Sequence, residues 1–78
     1  MSGIIASGTL AASGHQYVLQ TSNVDGGKYE VVILDKESPL FRKLFDPTTA
    51  GFIQSRKWLD TLHELVPPEI SKLAGSAQ

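Results

Sequence analysis

The chain contains no cysteine. That excludes disulfides, thiolate nucleophiles and sulfur-ligated zinc or iron–sulfur sites, and it fits a reducing compartment. Charge of one sign is also missing: seven basic residues face eight acidic ones, for a net charge of −1. This balance supplies no general attraction to DNA, RNA or an anionic membrane. A small domain so close to neutrality tends instead to associate with itself or with a protein partner. No apolar run approaches the roughly 18 residues that span a bilayer. The N-terminal stretch lacks a basic leader, and Gly3–Ala12 is interrupted by Ser7, Gly8 and Thr9, so it does not read as a signal peptide. The expected location is cytoplasmic, with no membrane partner.

What is present is one domain's worth of patterned sequence, 78 residues long. A chain of this size buries only about 60% of its unfolded surface, so its stability rests on a small core. Residues 1–74 read as a single α+β domain, and residues 75–78 as a frayed tail. The first half alternates with period two. Ile4–Ala11 forms a first strand, and His15–Thr21 a second with Tyr17 and Leu19 on one face. Lys28–Asp35 forms a third, with Tyr29, Val31 and Ile33 on that face and Val32 and Leu34 on the other. A strand apolar on both sides suits a central or well-covered position.

Two registers are open between the second and third strands. A two-residue loop at Asp25-Gly26 sets Leu19 opposite Val32. A three-residue loop Val24-Asp25-Gly26, with Gly26 left-handed, sets Leu19 opposite Val31 and Tyr17 opposite Ile33. The second is preferred, because it gathers Leu10, Tyr17, Leu19, Tyr29, Val31 and Ile33 on one side.

The second half reads with helical period. Ser38-Pro39 looks like an N-cap followed by proline, and Leu40, Phe41, Leu44 and Phe45 make the apolar face of a short helix. A long amphipathic helix follows from about residue 50 to Val66, with Phe52, Leu59, Leu62 and Val66 as its stripe and Pro67-Pro68 as its stop. Pro68–Ala74 reads as a last short helix, with Ile70 and Leu73 folding back onto the body. The expected fold is thus a three-stranded antiparallel β-meander, then a short helix and one long amphipathic helix packed on the sheet. It leaves Val18, Val32 and Leu34 on a sheet face without a cover.

Chemistry-bearing residues are sparse. Asp60, His63 and Glu64 share a helix surface, but one imidazole and two surface carboxylates make a thin zinc set, and a solvated helix face explains them. No serine sits in a nucleophile elbow, and Asp35 and Glu37 read as a polar connection. Gly26-Gly27 joins two strands and lacks the helix N-terminus of a phosphate cradle. No catalytic residue, metal or cofactor is expected. The remaining feature is basic and aromatic: Arg42, Lys43, Arg56 and Lys57, with Trp58 about 100° from Leu59 around the helix and therefore at the rim of the core. If the helices are neighbours, these five residues form a patch for an acidic protein surface or, as the alternative, for nucleic acid. The expectation is a small non-enzymatic protein-binding module. It would inhibit or assist a partner complex, as phage- or plasmid-borne accessory proteins do, with a homodimer as a further form.

Overall fold

The computed structural model describes residues 3–22 and 26–76, with the backbone alone for Ser76. The order is β1 (Gly3–Thr9), β2 (Gln16–Thr21), β3 (Tyr29–Asp35), β4 (Ser38–Phe45), α1 (Thr49–His63) and α2 (Pro67–Ser76). The strands form one antiparallel sheet in the order β1-β2-β3-β4, a meander in which each strand pairs with its chain neighbours.

The β2–β3 register is the one favoured by the glycine argument. Leu19 faces Val31 and Tyr17 faces Ile33, and Gly26 has φ of +79°. Asn23, Val24 and Asp25 lie outside the described residues. Opposite them in the sheet, β1 places Gly8 against Tyr17 and Ala6 against Leu19, with Ile5 as an extra residue at a bulge.

The segment Pro39–Phe45 is a strand and not the expected short helix. Its apolar residues recur at spacings that fit a helix, yet the same residues also alternate across a sheet. Phe41, Lys43 and Phe45 lie opposite Ile33, Val31 and Tyr29, while Arg42 and Leu44 lie opposite Val32 and Glu30. Leu40 is the extra residue at a second bulge. The deciding factor is β3. Val31 and Ile33 are fully buried, and a helix at this point would leave their strand with an unpaired backbone edge in the middle of the molecule. Pro39 is tolerated because β4 is an edge strand. The hairpin closes through Lys36 and Glu37, at φ of 50° and 73°, a two-residue turn that ordinarily carries glycine or asparagine.

The core fills one face of the sheet. Leu19, Val31, Ile33, Phe41 and Phe45 meet Leu59 and Leu62 of α1, Ile70 of α2 and Leu10 of the β1–β2 loop. The Thr48 hydroxyl caps α1 by accepting from the Gly51 N–H at 3.1 Å. The helix buries Gly51, Ser55, Leu59 and Leu62. Ser55 is satisfied within the helix, its hydroxyl donating to the Phe52 carbonyl at 2.6 Å. α1 ends at His63 and not at Val66, because a helix continued to Pro67 would set the proline ring against the His63 carbonyl and leave that carbonyl without a helical donor. Val66 is exposed and opens α2 instead: its N–H donates to the Glu69 carboxylate at 3.3 Å, with Pro67 in the first helical position, where its missing N–H costs nothing. α2 continues through Gly75 and Ser76, into the segment read as a tail.

The two sheet edges differ. β4 carries Pro39, Arg42, Lys43 and a bulge, the usual guards against edge-to-edge pairing. β1 has a bulge but no charge, and exposes Ile4 and Ile5.

A Cβ at Gly51 would run into the Asp46 carbonyl, whereas one at Gly75 meets nothing within 4 Å. Gly51→Ala is therefore expected to cost about 1–3 kcal/mol in urea unfolding, while Gly75→Ala gains up to about 1 kcal/mol from helix propensity. Replacing Lys36-Glu37 by Asn-Gly relieves the left-handed backbone and should raise stability by about 1–2 kcal/mol in the same assay.

Candidate interaction surface

The histidines act as structural groups or remain outside any cluster. His63 clamps the β1–β2 loop: its Nδ1 accepts the Ala11 N–H at 3.1 Å, its backbone carbonyl accepts the Ala12 N–H at 3.0 Å, and its ring stands edge-on to Tyr17 at 5.6 Å. Asp60 and Glu64 are exposed on the same helix surface. Among the described residues no group of three His, Cys, Asp or Glu side chains is placed to hold a metal ion. His15, Asp35 and Glu37 line an open cleft of about 280 Å³ between the β1–β2 loop and the β3–β4 turn. The His15 Nδ1 there is buried without a hydrogen-bond partner.

The basic and aromatic residues do not share one surface. Trp58 is half-buried and packs on Phe41 and Phe45, with ring centroids 6.0 and 5.9 Å away. Lys43 joins it, its ammonium 5.3 Å from the Trp58 ring and 5.4 Å from Phe45. Arg56 stacks over Phe52 at 6.0 Å. It lies about 200° from Trp58 around α1, on the helix's other flank. Lys57 is exposed and points away from the sheet. Arg42 is on the opposite face of the sheet from Lys43, because neighbouring strand residues alternate. Trp58 and Lys43 are thus together, and Arg56 and Arg42 are each elsewhere.

The face that carries Arg42 has neither helix against it. Cross-strand pairing arranges it in three rows: Thr9, Gln16, Leu34 and Pro39; Ser7, Val18, Val32 and Arg42; Ile4, Gln20, Glu30 and Leu44. Val18, Val32 and Leu34 are half-buried by their neighbours alone, and Ile4 and Leu44 are exposed. Glu30 is buried within this face. Its carboxylate accepts from Gln20 Nε2 at 2.7 Å and from Arg42 Nη1 at 2.9 Å, a polar ladder across three strands. Beside it runs a groove of about 370 Å³ lined by Gln20, Glu30, Val32, Pro39, Leu40, Phe41 and Arg42.

The apolar part of this surface was visible in the sequence as Val18, Val32 and Leu34. The Glu30–Arg42 pair was not, since it requires β4 to be a strand opposite β3. The aromatic contacts of Trp58 also give it a larger structural share than a rim position alone. Trp58→Ala is expected to lower stability by about 2–4 kcal/mol, measured by urea unfolding followed by circular dichroism. No protein-family model, no curated protein and no solved structure matches this chain.

Proposed function

We propose that this chain is a small non-enzymatic protein-binding module of the cytoplasm. It acts as an inhibitor or accessory subunit that occludes or bridges a partner complex, in the manner of phage- or plasmid-borne accessory proteins. It docks through the open face of its sheet.

The observation that carries this reading is the one-sided cover of the sheet. Both helices pack on a single face, while the other presents Val18, Val32 and Leu34 as neighbours in adjacent rows, with Ile4 and Leu44 exposed at its two edges. An apolar surface of this kind, edged by polar side chains, is the usual mark of an interaction site on a soluble domain. The wide spacing of Arg42, Lys43 and Arg56 favours protein over nucleic acid, because a phosphate backbone asks for one continuous basic surface.

A second docking site on the same module is supported by the half-buried Trp58, since tryptophan is over-represented among the residues that dominate protein interfaces. Affinity capture from native lysate separates the two. Val18→Thr with Val32→Thr keeps the β-branched shape and removes the apolar stripe. This double variant is expected to lose the partner that the unmodified protein captures, while Arg56→Glu and Lys43→Gln retain it. The reverse pattern assigns docking to the helix side.

A further inference from the structure

The open face has a charge pattern that narrows the chemistry of its partner. Its three rows contain two charged residues, Glu30 and Arg42. They are not equally presented. The Glu30 side chain is 8% exposed and the Arg42 side chain 69% exposed. A partner approaching this face therefore meets a guanidinium in an apolar setting, while the matching carboxylate lies beneath it.

The buried carboxylate also fixes where that guanidinium sits. Arg42 lies opposite Val32 and reaches diagonally to Glu30, which is held in turn by Gln20. One Nη1–H is committed to Glu30, and a guanidinium carries five N–H donors in a planar fork. Arg42 itself lines the adjoining groove, together with Val32, Pro39 and Leu40. A guanidinium held by a buried acid is organised before binding, so little side-chain entropy is lost when it engages a planar anion.

We infer that the open face recognises an extended protein segment that pairs one Asp or Glu carboxylate with apolar neighbours. The carboxylate meets the free donors of Arg42, and the apolar side chains lie along Val18, Val32 and Leu34. This rests on the open face being the docking surface; it adds the identity of the group recognised there. The fit to a carboxylate is one of both charge and shape, because the two oxygens match two donors of the fork.

The test uses the intact chain as bait for a displayed library of random peptides. Peptides selected on the unmodified protein are expected to share one acidic residue flanked by apolar ones. Their affinity should fall about tenfold with Arg42→Gln, the scale of one charge-assisted contact. Replacing the peptide's Glu by Gln should cause a similar loss, and should cause little further loss when Arg42 is already Gln. Arg42→Lys keeps the charge and should retain part of the affinity, and circular dichroism confirms that each variant is folded. Selected peptides that lack an acidic residue, or that bind the folded Arg42→Gln protein unchanged yet fail on Val18→Thr with Val32→Thr, overturn the carboxylate assignment and leave the docking face standing. Failure to select any peptide sensitive to either variant overturns both. A light-scattering mass of two chains that falls to one in the Val18→Thr, Val32→Thr protein assigns the face to a second copy and overturns the inference.

Discussion

Burial of Val31 and Ile33 in β3 governs how the rest of the chain is arranged. A strand placed at the centre of a small core must satisfy its backbone donors and acceptors on both sides, since no water reaches them. β2 supplies one side in the register set by Gly26, and β4 supplies the other. With both edges taken, the side chains of β3 can face only up or down, toward the helices or toward the open face. The placement of Phe41, Phe45 and Arg42 follows from that pairing. So does the position of Trp58, which has Phe41 and Phe45 to rest on only because β4 is a strand.

The helices complete one layer and no more. α1 runs fifteen residues and α2 ten, and both are spent on covering the apolar residues of a single sheet face. Nothing remains among the described residues to cover the second. The sheet manages that face partly by itself. Glu30 and Arg42 place an ion pair, its carboxylate buried and its guanidinium exposed, among the apolar side chains of this face, and Gln20 satisfies the second carboxylate oxygen. A pair of this kind adds little net stability, because desolvating the carboxylate offsets much of its attraction to the cation. It leaves a partly exposed cation at a fixed place on that face.

Much of this fold is legible in the residues. Period-two alternation locates β2 and β3, the steric freedom of Gly26 selects their register, and Pro67-Pro68 ends α1. The error at Pro39–Phe45 has a physical source. Leu40, Phe41, Leu44 and Phe45 satisfy a helical spacing, and the same four residues satisfy a strand once Leu40 is bulged out. Local pattern does not separate the two; the need of β3 for a second partner does, and that is a tertiary constraint. The basic patch dispersed for the same reason, since a helix would have put Arg42 and Lys43 side by side and a strand sends them to opposite faces. Val18, Val32 and Leu34 remained legible because their positions depend on β2 and β3 alone.

The meander has a kinetic consequence. Strands that pair only with their chain neighbours form by short loop closures, which are the fast steps of folding. The clamp from His63 to Ala11 is of another kind, joining positions 52 residues apart. It ties the far end of α1 to the loop that leads out of β1, the sheet edge without charged guards. Losing that clamp would remove a tether on the β1–β2 loop and leave β1 held by its pairing with β2. The edge strand is thus held twice, by its ladder to β2 and by a tether from the far end of α1.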